Sequence, residues 1–339
     1  MERDRSIDLA RGLAIVAIVV GHVNRGLISS GLGFDWAPDL DRLLYLFHLS
    51  VFAYLSGIFL APGLSRHGTR DFLTQRTTLF LWLYVVWQVL QVGVKLVTSS
   101  LVNTPVSWRN LLSFWIPEGQ MWFLPWLVSV TLVVSVWQPW SSHRRAASLG
   151  IFAFALAIVF WGVDPLPVFT RGWALLLPFA AGAMLGLQGH RRLFTSGSAP
   201  LVAVAGIVGM IVIALATTAI PPTVDTFNRN WTDVGLGMVA CLLGSAGLLA
   251  LAGWLSGLRE WRILALLGQR SLEIFLAHIV AASGTRILLM QAGLDAPLAH
   301  LLLGTVAGLL ASIALWALVR RLGIRGVFDL PRSPRSNSR

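Results

Sequence analysis

The chain has 339 residues, 56% of them hydrophobic and 12% charged, with a formal net charge of +11. Soluble domains carry about 25% charged residues, so half that share with a mean hydropathy of +0.73 excludes an ordinary soluble enzyme. The long unbroken apolar runs exclude an outer-membrane barrel, whose strands alternate over about ten residues.

Taken in chain order, the apolar runs predict an all-α bundle of about ten transmembrane spans. They lie at roughly 9–28, 42–62, 77–100, 121–139, 147–163, 173–188, 200–220, 233–254, 271–291 and 298–319. The first run contains His22 and lacks a small-residue cleavage site, so it reads as a retained helix and not a signal peptide. Pro178, in the first half of the sixth run, predicts a kink there. Cys241 is the single cysteine and lies in an apolar run, which leaves no intrachain disulfide and no thiol-built metal site. Residues 1–328 read as one integral-membrane domain, and 329–339, DLPRSPRSNSR, as a disordered basic tail.

Charge sets the orientation. With alternating spans, Arg5, Arg11, Arg66, Arg70, Arg76, Arg144, Arg145, Arg191, Arg192, Arg259, Arg262, Arg270, Arg320 and Arg321 share a side with both termini. By the positive-inside rule that side is cytoplasmic, in a multi-pass protein of the cell membrane. Basic residues placed at span ends argue for topology and against a nucleic-acid partner. Trp36, Trp115, Trp122, Trp173 and Trp231 fall near the outer ends of spans, as an aromatic belt does.

Arg11 and His22 are eleven residues apart in the first span. That is about three helical turns, so both project from one face, separated by roughly 16 Å of rise. Such groups are costly in lipid and imply a face turned to a polar interior path. His22 lies roughly 20 Å from the inner face, and His48, on the antiparallel second span, reaches a matching depth. The pair predicts one site in the outer half. A histidine there suits general-base work, since its ordinary pKa is near 6.5; the plainer alternative for His48 is a structural hydrogen bond at a helix crossing. Asp8 and Arg11, three apart, are expected to pair. Arg11, Arg66, Arg70, Arg76 and Arg270 form an inner basic set that can hold a polyanion through the guanidinium fork, or act only as topology determinants.

The blocks RSIDLARGLAIVAIVVGHV, FHLSVFAYLSGIFL, MWFLPWL and LGQRSLEIFLAHIV resemble, in order and spacing, the membrane-bound acyltransferase-3 family, most closely its fucose 4-O-acetylase-like branch. The resemblance implies about ten transmembrane helices and acyl transfer, usually of an acetyl group. The donor would be cytoplasmic acetyl-CoA, with no metal, and the acceptor a sugar or glycan hydroxyl at or beyond the outer face. It implies that His22 is the essential histidine and Arg11 its partner arginine. His48 then precedes the Ser56–Gly57 block, and Glu273 and His278 belong to the late block. The chain departs from the family pattern ahead of the third span. Many members carry two arginines three apart before the third span, whereas Arg76 is followed by Thr77, Thr78 and Leu79, leaving Arg66 or Arg70 to substitute.

On this reading the donor's phosphates sit near Arg11, Arg70, Arg76 and Arg270, and its thin arm carries the thioester to His22. His278, about 10 Å from the inner face, suits the arm or the mouth, or a hydrogen bond with Glu273. Trp122 can stack on an apolar sugar face, and Ser56 or Arg286 can supply an oxyanion donor. Asp8 and Glu273 are structural partners, membrane lipid surrounds the whole, and the acceptor is a carbohydrate or glycosylated compound. Two other classes compete. A proton-coupled secondary transporter is one, although no matched pair of broken helices is legible in the two halves. A lipid-linked glycosyltransferase is the other, suggested by Asp35, Asp39 and Asp41 in the first outer loop.

Overall fold

The computed structural model describes residues 4–98, 106–163, 165, 167–226 and 228–331. Within hydrocarbon every backbone N–H and C=O must be paired inside its own segment, so apolar runs close into helices. In chain order these are α1 (Arg5–Ser29), α2 (Ala37–Ile58), α3 (Leu60–His67), α4 (Thr69–Val97), α5 (Phe123–Trp137) and α6 (His143–Phe160). They continue as α7 (Leu176–Phe194), α8 (Ala199–Ala216), α9 (Trp231–Leu258), α10 (Arg262–Gln269), α11 (Ser271–Gln291) and α12 (Pro297–Arg321). Local chemistry sets several starts. Asp4, Ser142 and Asn230 each accept a backbone N–H from the first turn of α1, α6 and α9, an N-cap worth about 1 kcal/mol. Pro38, Pro200 and Pro297 sit in first turns, where a missing N–H loses no bond.

Among the described residues, nine helical stretches are long and apolar enough to cross a membrane: α1, α2 with α3, α4, α5 with its flanks, α6, α8, α9, α11 and α12. The expected sixth span is α7, whose last turns carry His190, Arg191 and Arg192. Its bend also differs from expectation. Pro178 lies in the first turn of α7, where proline is tolerated, and the helix breaks instead at Gly186, with φ 58° and ψ −171°. A positive φ of that kind is open to glycine and strained for other residues.

α1 is the central helix, packed against α2, α9, α10, α11 and α12. Small residues let backbones approach, the device that replaces a hydrophobic driving force inside lipid. A Cβ on Gly12 would fall on the Leu264 carbonyl, and one on Gly268 on the Asp8 carbonyl, so α10 lies directly on the start of α1. After α12 the chain returns to α4. The Trp82 and Trp87 indoles donate to the Gly326 and Val327 carbonyls, each at 2.7 Å, and Phe328 packs 5.3 Å from the Trp87 ring. Of the expected tail, residues 332–339 lie outside the described residues.

Candidate active site

Arg11 and His22 open onto different spaces along α1. A cavity of about 210 Å³ is lined by Arg11, Ile18, Ser56, Phe80, Phe123 and Phe275. A cavity of about 320 Å³ is lined by His22, Arg25, Tyr45, Trp122, Arg171 and again Phe123 and Phe275. A third, of about 500 Å³, shares His22 and Arg25 with it and runs between α1, α4 and α11. The Phe123 and Phe275 rings, 5.7 Å apart, therefore stand between the Arg11 space and the His22 space. On the other side of the Arg11 space, Gln269 also lines a cleft of about 510 Å³ with Arg5, Arg259, Trp261 and Arg262. Adjacent cavities with shared walls thus run from the Arg-rich end to His22.

His22 meets a tight group of rings. The His278 ring is 5.1 Å away, centroid to centroid, and Tyr45 is 6.2 Å away, edge-on. His278 is wholly buried. Its Nδ1 lies 2.8 Å from the Ile274 carbonyl. A carbonyl only accepts, so Nδ1 carries the proton and Nε2 presents a lone pair; that Nε2 is buried with no hydrogen-bond partner. Neighbouring α11 carbonyls are held by amides, Phe275 by Gln120 Nε2 at 3.1 Å and Leu276 by Gln91 Nε2 at 3.2 Å. Three consecutive carbonyls of α11 are thereby tied beside the histidine pair, and this fixes its position. Arg25, three residues beyond His22, lies over the Tyr45 ring at 3.3 Å. It also donates twice to Asp41, at 2.7 and 2.9 Å.

The structure distributes the expected residues unevenly. His48 is buried, 4.6 Å from Tyr45, with Nδ1 bonded to the Leu44 carbonyl at 2.5 Å. Tyr45 stands between it and His22 and lines the cavity in its place. Trp122 lines the His22 cavity, with Arg171 over its ring at 5.5 Å. Arg286 lines the cavity between α1, α4 and α11 and donates to the Gly26 carbonyl at 2.7 Å. Ser56, expected at the oxyanion, shares the Arg11 cavity, because it lies about two helical turns beyond His48 on α2. His278, expected toward the inner mouth, lies against His22.

The inner set divides in the same way. Arg76 is flanked by the Phe72 and Phe80 rings, at 5.6 and 5.3 Å, close enough to Arg11 for their charges to interact. Arg70 is exposed on the first turn of α4. Arg270 stacks over Trp316 at 3.6 Å and pairs with Glu273 at 3.1 Å, which turns it toward α12. Glu273 therefore partners Arg270 and not His278, while Asp8 accepts from Gln269 Nε2 at 3.1 Å.

Tyr45, Arg25, Gln120 and the Arg259–Trp261 stack, at 3.9 Å, are absent from the sequence reading. A signal for two of them was there. Tyr45 precedes His48 by three and Arg25 follows His22 by three, and residues so spaced share a helix face.

A family profile described as an acyltransferase domain matches residues 4–317. The chain is also similar to "Nodulation protein NolL" of Mesorhizobium japonicum (strain LMG 29417 / CECT 9101 / MAFF 303099), with 24% identity over 163 residues. That match covers 47% of this chain and 41% of the relative, so the chain spans well under half the length of the protein it matches. No solved structure matches. With the profile covering nearly the whole chain and the four blocks in family order, this protein belongs to the membrane-bound acyltransferase-3 family.

Proposed function

We propose that the protein is an O-acyltransferase that moves an acetyl group from acetyl-CoA, supplied at the Arg-rich cytoplasmic end, to a sugar hydroxyl at the His22 end. The observation that carries this reading is the run of adjoining cavities that reaches His22 from the arginine-bearing cleft. Only the thin pantetheine arm of the donor is cheap to bury. Its charged nucleotide stays at the mouth, where Arg259 stacked on Trp261, together with Arg5 and Arg262, offers cations and an aromatic face. Arg11 and Arg76 form the next cationic point along the arm's path. The thioester then crosses between Phe123 and Phe275.

At His22 the acceptor oxygen attacks the thioester carbonyl. The imidazole takes the hydroxyl proton as the carbon–oxygen bond forms. The tetrahedral intermediate collapses, the carbon–sulfur bond breaks, and the sulfur leaves as thiolate and collects the proton from the imidazolium. The products are the acetylated sugar and free CoA. His278, its Nε2 lone pair set by the Ile274 bond, supplies an acceptor beside that imidazolium. Trp122 offers a stacking face to the sugar, and the Arg25–Asp41 pair holds Tyr45 as the cavity wall.

The test uses purified protein in lipid nanodiscs with acetyl-labelled CoA and a panel of glycosides. Wild type is expected to release CoA and label a sugar. His22→Ala, inserted and folded as judged by gel filtration, is expected to do neither. A folded His22→Ala protein with wild-type transfer would overturn the mechanism. Movement of a solute without CoA release would favour the transporter class.

A further inference from the structure

The cavities that reach His22 differ in their walls. The 320 Å³ cavity is capped by loop residues, Arg171 and Thr223 among them. The 500 Å³ cavity lies between helices. The Gln91 amide ties α4 to the Leu276 carbonyl of α11. Away from that tie the two helices make sparse contact, and Val94, Ile279, Val280 and Ile287 wall the space between them. On the outer surfaces beside it, Val97 is 89% exposed and Leu288 67%. In a membrane-spanning bundle those surfaces meet acyl chains, so the cleft is flanked by lipid on both sides.

Its charges do not balance. Lys95 pairs with Glu118 at 2.5 Å, and Arg25 with Asp41. Arg286 has no carboxylate partner among the described residues. One of its N–H groups goes to the Gly26 carbonyl, and its buried Nε has no hydrogen-bond partner. A guanidinium set among apolar residues is costly without an anion, and its fork matches phosphate oxygens. Gly26 is one helical turn beyond His22, about 6 Å of rise, a separation comparable with the width of one sugar ring.

We propose that this cleft admits the acceptor from within the bilayer, and that the acceptor is a sugar joined through phosphate to a long-chain membrane lipid. The chain lies between α4 and α11, the phosphate meets Arg286, and the sugar hydroxyl reaches His22. The word acceptor rests on the acyl-transfer reading; the ligand class rests on the cleft's walls and charge.

The experiment is photo-crosslinking in nanodiscs with a polyprenyl phosphate glucose carrying a diazirine on the isoprene next to the phosphate. Label is expected in 90–98 and 279–291. Arg286→Gln is expected to lower labelling about tenfold, as loss of a charge-assisted bidentate contact does. Val94→Trp, which fills the cleft from the α4 side and leaves the guanidinium in place, is expected to lower it similarly. Label spread evenly over lipid-facing helices overturns the proposal. So does label indifferent to both variants, and so does equal competition by water-soluble glucose 1-phosphate. Cleft labelling without acetyl transfer to any acceptor would support the lipid-phosphate site while removing the acyl-transfer reading.

Discussion

The two halves of α1 solve different problems with similar residue types. Around Arg11 the cavity is small, its cations stand among phenylalanines, and Ser56 and Arg76 come from other helices. Around His22 the rings pack edge-on or tilted, and the buried histidines His48 and His278 are each locked by a backbone carbonyl on their own helix. The first half is built to hold charge at a place; the second is built to hold a nitrogen lone pair at an angle. Variants at the two ends should therefore separate donor binding from turnover.

The largest effect is expected at His22. His22→Ala removes the proposed base and should lower kcat by about 10²–10⁴-fold, with the donor's KM little changed. His278→Phe keeps the ring volume but deletes the acceptor beside His22, and should lower kcat by about tenfold to a hundredfold, a smaller loss than at His22 itself. Steady-state kinetics on folded protein checks both. Equal losses at the two positions would mean the imidazoles act as one unit and would blur the contrast between the ends.

At the other end, Arg11→Ala should raise the donor's KM about tenfold, or ~1.4 kcal/mol, with kcat nearly intact. A fall in kcat alone would move Arg11 from binding to chemistry. The wall between the ends makes a sharper test. Phe275→Ala should cost about 3–5 kcal/mol of stability, as truncation of a buried phenylalanine does. It should also let longer acyl thioesters reach His22. Acetyl- and hexanoyl-CoA compared on the same variant would show this, and an unchanged chain-length preference would remove the Phe123–Phe275 partition from donor selection.

This division was half legible in the sequence. The spans were, because a hydrocarbon solvent leaves few alternatives to a helix of about twenty apolar residues. Arg11 and His22 were, because ionisable groups within such a run demand an interior. What escaped depends on contacts across long separations. Arg270 reads as one more inner cation until Trp316, on a different helix, is found beneath it. Nothing near Trp82 or Trp87 in sequence marks their partners, since Gly326 and Val327 return from the far end of the chain to receive their N–H groups. Pro178 drew the expected kink because proline's effect depends on how far into a helix it falls, and the break came at Gly186, which no local pattern marks. The position of Ser56 was hidden as well, because its nearness in sequence to His48 spans about two helical turns along α2, enough to put it on the Arg11 cavity.

The smallest expected effect lies at the start of α1, where Asp4 accepts from Ser6 N at 3.0 Å and Ser6 Oγ at 2.6 Å and pairs with Arg191 at 2.7 Å. Burial alone would raise its pKa, but the Ser6 and Arg191 hydrogen bonds and the Arg191 charge outweigh it and hold the carboxyl below its usual 3.8. Because the folded state favours the ionised form, its contribution is fully present at neutral pH and fades as pH falls through 3.8 toward the lower folded value. Asp4→Ala should lower stability by about 1 kcal/mol at pH 7, the usual worth of an N-cap. The melting-temperature gap between wild type and variant should narrow between pH 5 and pH 3 on the order of that window. The helix start sits far from His22 but beside the cleft lined by Arg5, so kcat at neutral pH should stay near wild type, and any change should appear in the donor's KM. A gap in melting temperature that holds constant down to pH 3 would assign the cap's value to the neutral carboxyl's hydrogen bonds and not to its charge.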